Sequence, residues 1–121
     1  MVSVGITGLG SCLPETVVTN EDLLNNGLDT TEEWISKRTG IKTRRISNQD
    51  ESLPILMSVS ALRALKDANL SPLDLDYIIA GTNSTDPFLV PQNASRVQYI
   101  IGAGNIPAFD VQAGCSGALY A

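Results

Sequence analysis

The chain has 121 residues and a net charge of −5, from 8 basic and 13 acidic side chains, with 43% hydrophobic and 17% charged residues. A chain of this size buries about two-thirds of its unfolded surface, so this composition describes one folded soluble domain and excludes a disordered segment. The acidity argues against general nucleic-acid binding, and two cysteines without a histidine make neither a disulfide framework nor a zinc site.

The opening MVSVGITGLGSCLP has no basic start and no long apolar run, so neither a signal peptide nor a membrane span is expected and the cytoplasm is the default. Val2, Val4 and Ile6 alternate with small or polar residues and run into Gly8 and Gly10, which predicts a first strand ending in a tight turn. Thr19 or Asn20 caps a short helix, with Glu21 and Asp22 in its first turn and Gly27 as its stop. Thr30 and Glu33 form a T-x-x-E capping box for a second helix through Arg38, closed by Gly40, and residues 41 to 46 read as extended.

Ser52 is placed to cap the longest helix, in which Ile55, Val59, Leu62 and Leu65 share one face suited to packing on a sheet. Ser71 and Pro72 open a single turn, and Tyr77 to Ala80 form an apolar run typical of a strand covered on both faces. Residues 82 to 91, TNSTDPFLVP, hold two prolines and no period, which predicts a loop. Ala94, Val97 and Ile101 mark a helix closed by Gly102, Phe109 and Val111 a buried strand, and Ala113 to Gly117 a turn into a barely begun helix. Strands alternating with helices predict an α/β fold, mainly a parallel sheet with flanking helices. The last strand needs its crossover helix as a cover, so the chain reads as an N-terminal fragment of something longer.

Five of the eight basic residues, Lys37, Arg38, Lys42, Arg44 and Arg45, lie within nine positions. Such a spot suits phosphates or an acidic partner, or is a solvated face beside the glutamates of the same helix. The closing DVQAGCSGALYA combines a strand, a sharp turn of small residues, a nucleophilic side chain and a helix start. Gly114 and Gly117 permit the bend, and Cys115 at a helix N-terminus would have its thiol shifted from about 8.5 toward roughly 3.5–7.5. On this local pattern Cys115 is either a catalytic nucleophile or a buried structural cysteine. With no histidine in the chain, the partners that thioester chemistry requires are expected outside it.

GITGLGSCLPE with TNEDL, DTTEEWISKRTGIKTRR and PAFDVQAGCSGALYA together resemble the β-ketoacyl-(acyl carrier protein) synthase III family of thiolase-fold condensing enzymes, in its order and near its spacings. DTTEEWISKRTGI is the most specific of these. The resemblance implies a thiolase-like chain, residues 1–121 being most of the first of two related halves. It implies a two-step Claisen condensation in which catalytic Cys115 takes the acyl group of a short acyl-CoA and decarboxylating malonyl-(acyl carrier protein) then receives it, initiating fatty acid synthesis. No cofactor is bound permanently. The partner histidine and asparagine come from the remainder of the chain, and a homodimer is expected by analogy.

Trp34 and Arg38, four apart on the second helix, share a face that could hold a planar base between an indole and a guanidinium. By resemblance they clamp the adenine of coenzyme A, with Thr30 nearby and the adjacent cations meeting its phosphates or the acyl carrier protein. Without the resemblance, Trp34 reads as a half-buried packing residue.

Hydroxymethylglutaryl-CoA synthases resemble this plan but carry a general-base glutamate where this chain has Asn83 in Gly81-Thr82-Asn83-Ser84. Thiolases lack the WISKRTGI segment. Priming synthases of polyketide or quinolone pathways share nearly everything, and TDPFLV, residues 85 to 90, departs from the usual pattern beside the expected acyl pocket. A dinucleotide fold is disfavoured because Leu13 stands where its third glycine belongs and Pro14 delays a helix. A non-catalytic interaction module that pairs with a complete synthase is the remaining class. Cys12 is expected to be structural.

Overall fold

The computed structural model describes residues 4–84 and 91–121, and the chain divides into two compact units. One unit is Leu13–Ser52; the other combines Met1–Cys12 with Leu53–Ala121.

The smaller unit holds β1 (Thr16–Thr19), α1 (Asn20–Asn25), α2 (Glu32–Thr39) and β2 (Thr43–Ile46). β1 and β2 pair antiparallel, with Thr16 opposite Ile46 and Thr19 opposite Thr43. Thr19 ends the strand and caps α1 reciprocally: Asp22 donates its N–H to Thr19 Oγ1, and Thr19 donates its N–H and hydroxyl to the Asp22 carboxylate. Those donated bonds hold the Asp22 carboxyl below its ordinary value.

The cap of α2 is Thr31, one residue later than the T-x-x-E pattern predicts. Thr30 donates its N–H to Leu28 O at 3.0 Å in the turn that follows Gly27, which has φ +94°. The chain therefore reaches helical geometry one residue on, where Thr31 Oγ1 accepts the Trp34 N–H at 3.1 Å. Gly40 closes α2 in the left-handed conformation, φ +71°.

Asn20 ties this unit together from the inside. It is 1% exposed, its Nδ2 donates to Ile41 O at 2.9 Å, and its Oδ1 accepts from Arg44 Nη2 at 2.5 Å.

The larger unit contains α3 (Leu53–Ala68), a single 3-10 turn at Pro72–Asp74, β3 (Ile78–Gly81), α4 (Asn93–Ile101), β4 (Ala108–Val111), a second 3-10 turn at Gly114–Ser116 and α5 (Gly117–Tyr120). β3 and β4 pair in parallel from Ile78 opposite Ala108 to Gly81 opposite Val111, with α4 as the connection. Leu65, Val97, Ile101 and Ala103 form the core, backed by Met57, Ala61, Leu75, Ile78 and Ile106. Each such aliphatic side chain contributes about 1.5–3 kcal/mol when fully buried.

α4 is capped from a distance. Gln92 precedes it without a capping bond, and the Asp110 carboxylate on β4 accepts the N–H groups of Asn93 and Ala94 at 3.0 and 2.8 Å. A negative group at the helix start and the adjoining strand are thus joined by charge-assisted bonds.

Three expectations change. Residues 4 to 14 carry no regular structure, and Val4 and Ile6 are 96% and 84% exposed, because no described strand pairs with them. Their neighbours Gly8 and Gly10 instead lie against α3: a Cβ on Gly8 would sit 2.4 Å from Ala64 O, and one on Gly10 2.1 Å from Ser60 O. Leu9 N–H donates to Asp67 at 3.0 Å and Arg63 to Ser11 O at 2.5 Å, fixing that crossing.

The stripe of α3 is rotated as well. Pro54, Ser58 and Leu65 are buried, whereas Ile55 and Leu62 are each 44% exposed, because close approach of α4 and the Gly8–Gly10 segment selects the small side chains. Finally, β3 and β4 are covered on one face among the described residues. Ala80 is buried with Ile78 toward the core, and Ile79 and Phe109, opposite each other, stay partly exposed.

Gly10→Ala is expected to lower stability by about 1–3 kcal/mol, since the new methyl meets backbone that cannot move aside. Chemical denaturation read by circular dichroism checks this through the midpoint shift.

Candidate active site

Cys115 stands in the 3-10 turn between β4 and α5, and its side chain is exposed. The strand-to-helix turn read from AGCSG is therefore present, with the sulfur on the surface rather than in the core. Gly114 takes φ +57°, a left-handed conformation that a glycine adopts at no steric cost. Ser116 N–H donates to Ala113 O at 3.1 Å and closes the turn.

The turn is seated on the exit of β3. Thr82 N–H donates to Val111 O at 3.1 Å, one step beyond the last strand pair. A Cβ on Gly81 would lie 2.8 Å from the Gly117 backbone, so glycine is required for that approach. Asn83 Oδ1 accepts the Gly114 N–H at 3.1 Å.

In the other unit, Thr30 and Trp34 line one groove of ≈ 520 Å³ together with Leu28, Asp29, Thr31 and Ile35. Trp34 is 56% exposed, which leaves a face of its indole available, whereas the neighbouring Ile35 is buried and anchors the helix. Arg38 is on the same helix, one turn on and exposed, but is not among the residues that line the groove.

The basic cluster divides in two. Arg44 is held by Asn20 and by Val18 O, and Arg45 donates to Pro14 O at 2.9 Å and Glu15 O at 3.2 Å;. Lys37, Arg38 and Lys42 are the exposed remainder. Sequence reasoning missed the structural use of Arg44 and Arg45, because both of their acceptor segments precede α2 and nothing in the spacing reveals a strand pairing.

Cys12 is partly buried. The residues 85 to 90, expected beside an acyl pocket, lie outside the described residues. Among the described residues no group of three histidine, cysteine or carboxylate side chains is placed to hold a metal, and no helix is long and apolar enough to cross a membrane.

No profile of a known protein family matches the chain. Individual relatives do. The β-ketoacyl-(acyl carrier protein) synthase III of Clostridium acetobutylicum is 48% identical over 121 residues, all of this chain and 36% of that protein. The enzyme of the same name from Campylobacter jejuni subsp. doylei is 42% identical over 120 residues, 99% of this chain and 37% of its own length.

Among solved structures, the 3-oxoacyl-(acyl carrier protein) synthase III of Aquifex aeolicus superposes with a TM-score of 0.90 at 43% identity, over 98% of this chain and 38% of that one. The priming β-ketosynthase of the R1128 polyketide pathway superposes with a TM-score of 0.86 at 34% identity, over 93% of this chain and 33% of its own. The fold is thus the α/β thiolase-type fold of those condensing enzymes. The chain spans little more than a third of such relatives, and over that stretch it is similar to β-ketoacyl-(acyl carrier protein) synthase III along nearly its whole length.

Proposed function

We propose that Cys115 is the acyl-carrying nucleophile of a protein that condenses a short acyl-CoA with malonyl-(acyl carrier protein), the initiating step of fatty acid synthesis. The observation that carries this reading is the exposed sulfur at the strand-to-helix turn Gly114–Ser116. Its thiolate attacks the thioester carbonyl, the tetrahedral oxyanion collapses, and coenzyme A leaves as a thiolate. Loss of carbon dioxide from the malonyl thioester then supplies a carbanion that attacks the acyl-enzyme carbonyl. The β-ketoacyl product departs on the carrier protein and Cys115 is released as thiolate. The cycle needs no external oxidant or reductant, so it calls for no redox cofactor.

Stabilising the oxyanions requires donors that these 121 residues do not supply through histidine, of which they have none. We place the histidine and asparagine in the remainder of a longer, homodimeric cytoplasmic protein, of which residues 1–121 form most of the first thiolase-like half.

The groove at Thr30 and Trp34 is the proposed seat of the coenzyme A adenine, stacked on the exposed indole and faced by Arg38. Lys37 and Lys42 are available to its phosphates or to the acidic carrier. Trp34→Ala is expected to raise the KM for acetyl-CoA about tenfold and leave kcat within about twofold, the size of one lost base–aromatic stack. Steady-state kinetics at varied acetyl-CoA tests it, and an unchanged KM would remove the adenine seat.

A second reading, a priming ketosynthase of a polyketide pathway, draws on the similarity to the R1128 enzyme, at 34% identity and a TM-score of 0.86. Both readings share the acyl-enzyme. Turnover of acetyl-CoA against longer acyl-CoA substrates, each with malonyl-(acyl carrier protein), separates them. A non-catalytic module would turn over none.

A further inference from the structure

We propose that Asn83 is a positioning residue that sets the turn carrying Cys115, an inference that rests on the reading of Cys115 as nucleophile. The turn satisfies its later N–H groups internally: Ser116 donates to Ala113 O, and Gly117 donates to Gly114 O. The Gly114 N–H, on the residue just before the sulfur, goes to the Asn83 side chain instead. The other two attachments between the β3 exit and this region, Thr82 N–H to Val111 O and the Gly81–Gly117 approach, are made by backbone. Asn83 thus supplies a side-chain tether where Gly114 is at φ +57° and the peptide plane must be fixed by a partner.

The chemistry explains a carboxamide at this place. A carboxylate would accept the same N–H but add a negative charge at the turn that carries Cys115, repelling the oxyanion formed during acylation. A carboxamide accepts without that repulsion. Asn83 therefore has a use that does not involve taking a proton, the role a glutamate fills in the hydroxymethylglutaryl-CoA synthase pattern.

The test uses the full-length protein with two variants and two readouts. Hydrogen exchange at the Gly114 amide reports the tether and needs no activity. Single-turnover acylation of Cys115 by acetyl-CoA reports its consequence. Asn83→Ala is expected to speed Gly114 exchange about tenfold and slow the maximal acylation rate about ten- to a hundredfold, with half-saturation by acetyl-CoA unchanged. Asn83→Asp keeps the acceptor, so it should hold Gly114 exchange near the wild-type rate while acylating more slowly than wild type.

Wild-type exchange and acylation rates in Asn83→Ala would overturn the proposal, as would equally fast Gly114 exchange in both variants. If Asn83→Ala does not fold, the wild-type protein decides, and a Gly114 amide that exchanges at the unprotected rate overturns the proposal. Wild-type protein that gains no acyl group on Cys115 would instead remove the nucleophile reading, with Gly114 exchange still deciding whether the tether exists.

Discussion

Cys115→Ala in the full-length protein is expected to reduce condensation of acetyl-CoA with malonyl-(acyl carrier protein) by at least about a thousandfold, the scale seen when a covalent nucleophile is removed. The loss should come with little change in stability, because Cys115 is exposed. Cys115→Ser should be nearly as inactive, since a hydroxyl is a far weaker nucleophile than a thiol at neutral pH. Initial-rate assays with thermal melts as a control check both statements. Activity within about tenfold of wild type in Cys115→Ala would exclude an acyl-enzyme at this position.

The largest expected effect on stability lies elsewhere. Asn20→Ala should destabilise the protein by about 2–4 kcal/mol, because it removes a buried carboxamide together with its bonds to Ile41 O and to the Arg44 cation. Asn20 is 1% exposed and satisfies Ile41 O and the Arg44 guanidinium, with a longer 3.4 Å bond to Ser36 Oγ;. Removing it takes this partner from Ile41 O and the Arg44 guanidinium where α1, α2 and β2 meet. Denaturant unfolding of Asn20→Ala against Asn26→Ala is the measurement. The Asn26 side chain donates an exposed bond to Asp22 O at 2.8 Å, so its loss should cost under about 1 kcal/mol. Equal shifts for the two would show that Asn20 is not the knot of this unit.

Local signals in the sequence were legible wherever one residue type answers one backbone requirement. Gly40 and Gly102 end α2 and α4 in left-handed geometry as their positions predict, and the small residues around Cys115 build the turn expected of them. Thr19 capped α1 for the same reason. Where two adjacent residues could fill one role, the pattern was ambiguous: Thr30 and Thr31 are both competent caps, and the turn at Leu28 decided in favour of the second.

What stayed hidden depends on partners distant in sequence. Strand β1 pairs with β2 across α1 and α2, and TVVT carries little beyond β-propensity to announce it. The apolar alternation at Val4 and Ile6 suits a strand, yet a strand exists only where a ladder partner is present. The face that α3 buries was misjudged because Ile55 and Leu62 outweigh Ser58 by hydrophobicity, whereas close packing favours the smaller side chain. In the candidate site, local sequence left Cys115 open between nucleophile and structural cysteine and Trp34 as a packing residue, and only the family resemblance singled the two out. The Asn83 tether joins residues 31 apart and emerges only from the fold.

The most direct measurement is peptide mass mapping of the full-length protein after brief exposure to acetyl-CoA alone. The account predicts one added acetyl group, on the peptide that contains Cys115, with Cys12 unmodified and the label lost when malonyl-(acyl carrier protein) is added. An acetyl group that appears on another residue, or on none while condensation proceeds, would contradict it.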